Sequence, residues 1–357
     1  MSCKVLSLKE RAEWGAYLSQ LPSSQQDVYY TPEYYELYER NGAGKSKCFV
    51  FELEGEIAIY PFLINSVNTL GYKLREEYFD IQGAYGYNGV VFSTHKKDFR
   101  QEFYDAFNSF CQKENIIAEF TRFHPLFQNH EFPIDSKILQ VNKNVILDLS
   151  IDDYWTNSYE HSTRKNINKA LRNGLEVVHY SGSEINKERI AEFEDIYQST
   201  MSRNSADEFY YFDSAFFGSL AKGLGDKAQF FFTYMHDKII SCELVVCGSE
   251  VGYSFLGGTL SEYYGYRPND ILKHKIIEVL KNLSYKYFCL GGGIKPDDGI
   301  FNYKKKFAKN GVYDFFIGKK IHNLKIYQEV VTQWREKHAD LYNEFSDILL
   351  CYRNTAG

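Results

Sequence analysis

The stretch Tyr287–Gly311, YFCLGGGIKPDDGIFNYKKKFAKNG, decides how this chain is read. Its apolar start, Tyr287–Leu290, has the content of a buried strand and stops at Gly291-Gly292-Gly293. A polar turn with Pro296, Asp297, Asp298 and Gly299 follows. Then comes Phe301–Phe307, with aromatic rings at helical spacing around Lys304, Lys305 and Lys306. In a helix Tyr303 and Phe307 (i, i+4) share one buried face, and Lys304 lies about 100° round from Tyr303, on the rim of that face. A lysine anchored there reaches into a cleft, where a cation meets a phosphate or a developing oxyanion. A solvated basic helix face is the plainer reading, and the rest of the chain decides between them.

Upstream, Ala228–His236, Ile239–Cys247 and Val251–Leu256 read as a three-strand meander, Gly257-Gly258 as its end, and Asp270–Leu283 as a helix. Further back, Ile151–Tyr159 and Ser162–Arg172 read as helices, the second stopped by Asn173-Gly174. Arg164 falls in that helix's first turn, the disfavoured end for a cation unless an anion binds there. Leu175–Tyr180 reads as a strand, and Ile185–Ser202 and Phe212–Leu224 as helices.

The first part of the chain begins with helices at Leu8–Leu21 and Thr31–Asn41, the second with Thr31 as N-cap and Pro32 at the first helical position. Cys48–Leu53 and Glu56–Leu63 flank Glu54-Gly55 as a hairpin. Gly42-Ala43-Gly44-Lys45-Ser46 between them is not a phosphate loop, because Glu39 stands where the motif needs its first glycine and the segment joins helix to strand. Tyr78–Val91 alternates glycine with tyrosine, as an irregular loop that lets backbone approach a ligand; Asp80, Tyr85 and Tyr87 lie in it. Asp98–Lys113 reads as a helix. Ile116–Phe120 and Asn144–Leu149 read as strands, with Arg122 and His124 just past the end of the first. Asn323–Ile348 reads as one long helix or two shorter ones.

At 357 residues the chain is expected to form two domains of about 150–200 residues each. With 44% hydrophobic residues it has enough apolar content for real cores, and a net charge of −6 argues against a general nucleic-acid binder. The seven cysteines are scattered, with no C-x-x-C pair, so neither a zinc site nor a disulfide framework is expected. No metal is implied by the isolated histidines either. The N-terminus becomes charged too early for a secretory signal and no apolar run is long enough to span a bilayer, so a cytoplasmic protein is expected.

Three strands, helix, strand, loop, helix is an order that resembles the acyltransferase fold of the GNAT superfamily. That resemblance implies a loop of R/Q-x-x-G-x-G/A type ahead of the helix, whose amides cradle a coenzyme A pyrophosphate. Tyr263–Asp270 keeps Arg267 but replaces both glycines, and Pro268 removes an amide donor. Arg267 and Asn269 are the donor-binding candidates of this segment.

Four segments carry a closer likeness: Tyr85-Gly86-Tyr87-x-Gly89 with Asp80 before it, Arg122–Leu126, Arg164-x-x-Ile167-x-Lys169-Ala170-x-x-x-Gly174, and Leu290-Gly291-Gly292 with Tyr303-Lys304-x-x-Phe307. Together they resemble the FemABX and FemAB-like proteins, tandem GNAT-like transferases of peptidoglycan and polysaccharide biosynthesis. The resemblance implies an α+β (α/β) fold of two GNAT-like domains, each a mixed sheet flanked by helices. It implies a discontinuous first domain, 1–149 plus about 318–357, and a second at 150–317. It also implies an acyltransferase that uses aminoacyl-tRNA, with no tightly bound cofactor, to form an amide on a nucleotide- or lipid-diphosphate-linked acceptor. Expected partners are that acceptor, tRNA and, peripherally, a membrane surface, but not DNA.

By the same resemblance Lys304 is the catalytic cation and Arg164 the diphosphate ligand; for the amine proton, Asp80 is a candidate base and an acceptor phosphate the alternative. Tyr85, Tyr87, Arg122 and Tyr303 complete the substrate-binding candidates. Asn168 stands where the family has a second arginine. Two alternatives stay open: acyl-CoA-dependent N-acylation of a nucleotide-linked amino sugar, and a non-catalytic glycan- or nucleotide-binding protein on the same fold.

Overall fold

The computed structural model describes residues 1–354. The chain divides into two compact units, Met1–Val141 with Phe315–Gly357, and Asn142–Asp314.

The first unit carries strands β1 (Ser2–Leu6), β2 (Lys45–Leu53), β3 (Glu56–Ser66), β4 (Phe79–Gln82), β5 (Val91–Phe92) and β6 (Ile116–Arg122). They pair in the order β1-β2-β3-β4-β6, with β5 on β3, and all these pairs are antiparallel except β4 with β6. The late strand Val312–Ile321 returns to this sheet, pairing Ile317–Ile321 antiparallel to β6. Glu54 and Gly55, at φ 53° and 82°, make the tight turn between β2 and β3. Helix Lys97–Lys113 presents Phe99, Phe103 and Phe107 at i, i+4 spacing to Phe49, Phe51 and Phe62 of the sheet. Each such ring contributes about 1.5–3 kcal/mol by leaving water. A second cluster joins Val330 and Trp334 of helix Leu324–Lys337 to Tyr72, Ile117, Leu350 and Tyr352.

The second unit is built on β7 (Lys137–Asp148), β8 (Leu175–Ser181), β9 (Ala228–Met235), β10 (Lys238–Cys247), β11 (Val251–Thr259) and β12 (Tyr287–Gly291). The order is β7-β12-β11-β10-β9-β8, antiparallel except for β11 with β12. Alternation along β9 sends Phe230 and Phe232 to Phe193 of helix Lys187–Arg203, and Phe231 to the opposite core. That opposite core holds Ile167 and Ala170 of helix His161–Arg172 and Ile276, Ile277 and Leu280 of helix Pro268–Asn282.

Several elements differ from the sequence reading. Ile151–Tyr159 holds only one helical turn, Tyr154–Asn157, started by the Asp153 carboxylate. Tyr78–Val91 is not wholly loop, since β4 occupies its start, and β1 and Val312–Ile321 are strands that hydrophobic alternation does not reveal. β11 runs on through Gly257 and Gly258. These two glycines are needed where they are: a Cβ at Gly257 would sit 2.6 Å from the Cys242 carbonyl oxygen, and one at Gly258 2.5 Å from that of Ile196. The C-terminal region forms two helices, Leu324–Lys337 and Tyr342–Phe345. Among the described residues no helix is long and apolar enough to cross a membrane.

Candidate active site

In the second unit the parallel pair β11–β12 lasts only three residues, Val251–Tyr253 against Tyr287–Cys289. Beyond Tyr253, β11 continues paired on its β10 side, while β12 is held on its other edge by β7. The strands therefore part, and β12 ends at Gly291, whose φ of +77° turns the chain away. Gly292 lies so close to β7 that a Cβ would meet the Lys143 carbonyl oxygen at 2.6 Å.

Asp298 organises the loop that follows. Its carboxylate accepts from the amides of Ile294 (2.7 Å), Lys295 (3.0 Å) and Phe301 (2.8 Å), capping helix Gly299–Lys305. Those amides hold the Asp298 carboxyl below the usual range.

Tyr303 of that helix meets Phe307 ring to ring at 5.5 Å, although the helix ends at Lys305 and Phe307 lies in the turn beyond it. Lys304 does not stay on the rim. The residue is half-buried, and its Nζ donates to the Gly292 carbonyl at 2.7 Å, where β11 and β12 part. Burial lowers its pKa to about 8, and the positive charge of Lys273 adds to that effect.

Lys273 and Glu243 were not singled out from sequence. Lys273, only 7% exposed, donates to the Glu243 carboxylate and, at 2.7 Å, to Ser254 Oγ of β11. Both left a trace: Lys273 sits at helical spacing with Ile276, Ile277 and Leu280, and Glu243 interrupts the apolar run of β10. An ionisable group on a face that must be buried is a signal by itself.

Asp270, in the first turn of the same helix, is 5% exposed and accepts from Asn166 Nδ2 at 3.1 Å. The Tyr303 hydroxyl is buried and makes no hydrogen bond.

The donor-loop candidates have other duties. Arg267 is exposed, in the left-handed conformation (φ 67°) that starts helix Pro268–Asn282. Asn269 Oδ1 accepts from Ser241 at 3.0 Å and Thr259 at 2.5 Å. The amides of Tyr263, Arg267 and Asp270 are bonded to the carbonyls of Leu260, Tyr264 and Arg267, and Pro268 has none to offer. Arg164 also serves the backbone, its Nη1 lying 3.0 Å from the carbonyls of both Trp155 and Tyr159. It thereby ties the turn Tyr154–Asn157 to the start of helix His161–Arg172.

In the first unit Tyr85, Tyr87 and Arg122 do come together. Arg122 ends β6 rather than following it; its Nε donates to the Gly86 carbonyl at 3.0 Å, and its guanidinium lies 5.9 Å from the Tyr85 ring and 5.4 Å from Phe315. Tyr87 packs edge-on to Tyr29, His124 and Phe315. His124 is fully buried and stacked on Phe127 at 3.6 Å, and burial drives its pKa down to about 3.

Asp80 is not a base in a cleft. It has no exposed surface, and its carboxylate accepts from Arg353 Nε (2.8 and 3.0 Å) and the Tyr352 hydroxyl (2.9 Å). Burial raises its pKa, with Arg353 acting the other way. It is a structural ion pair that fastens the end of the described chain to β4.

Residues 161–305 match the family described as acetyltransferase (GNAT) domain. The fold is similar to that of FemX, with 14% identity, 92% of this chain and 99% of that one covered, and a TM-score of 0.68. It is also similar to the C-terminal domain (DUF2156) of a putative lysylphosphatidylglycerol synthetase from Agrobacterium fabrum, at 11% identity, coverage of 93% and 97%, and a TM-score of 0.57. A tandem GNAT protein from the clavulanic acid biosynthesis pathway shares 8% identity over 89% of this chain and 98% of that one, with a TM-score of 0.51. No curated protein is matched by sequence.

Residues 161–305 of the second unit are thus GNAT-like by sequence, and the fold of the whole chain is similar to that of a tandem GNAT protein. In architecture the chain is similar to FemX over nearly its whole length.

Proposed function

We propose that this protein transfers an aminoacyl group from an activated ester, aminoacyl-tRNA, to an amine on a cell-wall or surface-polysaccharide precursor in the cytoplasm. The observation that carries this reading is Lys304, whose ammonium rests on the Gly292 carbonyl where β11 and β12 part. An ester is already activated, so the protein needs chiefly to orient the two substrates and stabilise the oxyanion. The amine nitrogen bonds to the ester carbonyl carbon, Lys304 meets the resulting oxyanion, and collapse breaks the ester C–O bond. The carrier hydroxyl leaves with the proton that the amine gives up. In the first unit, Arg122 over Tyr85 and Phe315 is the cation–aromatic group suited to the acceptor's diphosphate.

The choice of donor is supported by the segment at Tyr263–Asp270, whose bonded amides and Pro268 leave little of a pyrophosphate cradle. The name of the lysylphosphatidylglycerol synthetase, a protein of similar fold, points to aminoacyl chemistry in the same direction. A second reading, acyl-CoA-dependent acylation of a nucleotide-linked amino sugar, is favoured by the match of residues 161–305 to an acetyltransferase family. Titrating the protein with coenzyme A and with charged and uncharged tRNA over a range of salt separates the two. The aminoacyl reading expects salt-sensitive tRNA binding and no coenzyme A signal. Tight coenzyme A binding without tRNA binding overturns it.

A further inference from the structure

Two carboxylates of the second unit, Glu243 on β10 and Asp270 in the first turn of helix Pro268–Asn282, are buried, and they are compensated differently. Glu243 is paired with Lys273. Among the described residues, Asp270 has no lysine or arginine nitrogen within 4.0 Å; its side-chain donor is the neutral Asn166, and the charges of Arg267 and Lys306 reach it only from further away. An aspartate in a helix's first turn is ordinary when exposed, but this one is 5% exposed. Burial raises its pKa, the mark of a carboxylate whose charge is under-compensated.

Beside it lies the second observation. The Tyr303 hydroxyl is buried and unbonded, and the charges that act on it most are those of Asp270 and then Glu243. A buried hydroxyl without a partner costs about 1–3 kcal/mol, so a persistent one needs a reason. Tyr303 precedes Lys304 on helix Gly299–Lys305, and the Glu243 charge acts on both side chains.

We infer that Asp270, with the Tyr303 hydroxyl, is the subsite that receives the free α-ammonium of the aminoacyl donor. This rests on the aminoacyl reading above and adds a specificity element to it. An ammonium there gains a carboxylate and a hydroxyl acceptor, and Asp270 gains the cation it lacks. A plain acyl group, carrying no charge at the α-carbon, leaves both groups as they are. The subsite therefore selects aminoacyl over acyl or N-acylated donors.

The test uses stable amide analogues of 3′-aminoacyl-adenosine, a panel of alanyl, glycyl, seryl and lysyl forms, each beside its deaminated counterpart. Calorimetry on the intact protein is expected to show the best ammonium-bearing analogue binding at least about tenfold tighter than its counterpart. Asp270→Asn should erase that preference while leaving the affinity of the deaminated analogue within about twofold. Tyr303→Phe removes a hydroxyl that no protein group uses, so it should fold normally, and it should narrow the preference several-fold. Equal affinity for both analogues in the native protein, or a preference unchanged in both variants, overturns the subsite and leaves the aminoacyl-transfer reading standing. Tight coenzyme A binding with no analogue bound overturns both.

Discussion

Each unit contains one parallel strand pair in an otherwise antiparallel sheet, and the two pairs end differently. In the first unit β4 runs beside β6 from Phe79 to Gln82, and the chain then loops back on itself. Asn88 returns to bridge Phe123, its amide bonds the Arg122 carbonyl, and its Oδ1 accepts from the Arg122 amide, both at 2.7 Å. The loop is packed to its limit: a Cβ at Gly83 would lie 2.4 Å from Asn88, and one at Gly86 2.2 Å from the Tyr29 ring. In the second unit, where β11 leaves β12, lysines come in instead, Lys304 on Gly292 and Lys273 on Ser254 and Glu243. One opening is closed by the protein's own backbone; the other is lined with ionisable groups whose burial costs stability. The proposed function puts the chemistry where that cost is carried, and on that proposal substitutions in the two places should behave oppositely.

The largest effect on stability is expected in the first unit, at Arg353. Arg353→Ala leaves Asp80 charged with no exposed surface, and breaking a buried pair in this way costs about 3–5 kcal/mol. Asp80 already has a raised pKa in the folded state, and losing Arg353 raises it further. The folded protein then binds more protons than the unfolded chain, so stability falls as pH rises through the range between the two pKa values. The urea midpoint of the variant should therefore recover on acidification towards pH 4, while turnover at pH 7 below the unfolding transition stays near native. A large loss of turnover in still-folded protein would return Asp80 to the chemistry.

Lys304→Met should do the reverse. Removing an oxyanion-stabilising donor costs about 10²–10³ in turnover. Stability should hold or rise. The folded pKa of about 8 lies below the unfolded value of 10.5, so the native state carries a penalty for the charge below pH 8, relieved as pH climbs from about 8 to 10.5. The methionine variant lacks that penalty. In the native protein, turnover should fall above about pH 8 as the ammonium is lost, approaching tenfold per pH unit. Rate profiles and urea midpoints for both proteins check all three statements. A variant that loses activity only because it unfolds would contradict them.

The contrast between the units was partly legible in the sequence. Gly291-Gly292 marked the end of a strand and the spacing of Tyr303 and Phe307 a following helix with Lys304 on its rim, because both signals are local. That Lys304 returns to Gly292 is not a local signal. The pairing of Asp80 with Arg353, 273 positions away, has no local signal, and a short acidic segment among glycines reads as loop until β6 is seen beside it. β1 is missed because four of its five residues are exposed, so it shows no apolar face. Val312–Ile321 is missed because Asp314, Lys319 and Lys320 break its alternation. Arg164 misleads for another reason: charge at a helix start suggests an anion, yet carbonyls from the preceding turn satisfy the same guanidinium.

The smallest of these effects concerns the closure itself. Asn88→Ala removes the acceptor of the Arg122 amide, and an amide left unbonded at a buried position costs about 1–3 kcal/mol. The same substitution deletes Asn88 Nδ2, which is buried and has no partner, so part of that cost is offset. A net loss of about 1 kcal/mol is expected. The functional consequence should be selective. Arg122 holds Gly86 through its Nε and faces Tyr85 and Phe315, so loosening its backbone disturbs the group assigned to the acceptor and leaves Lys304 untouched. KM for the acceptor should rise several-fold with kcat and donor affinity unchanged. If kcat falls instead, the first unit's closed opening takes part in the chemical step, and the division of labour between the two strand pairs is wrong.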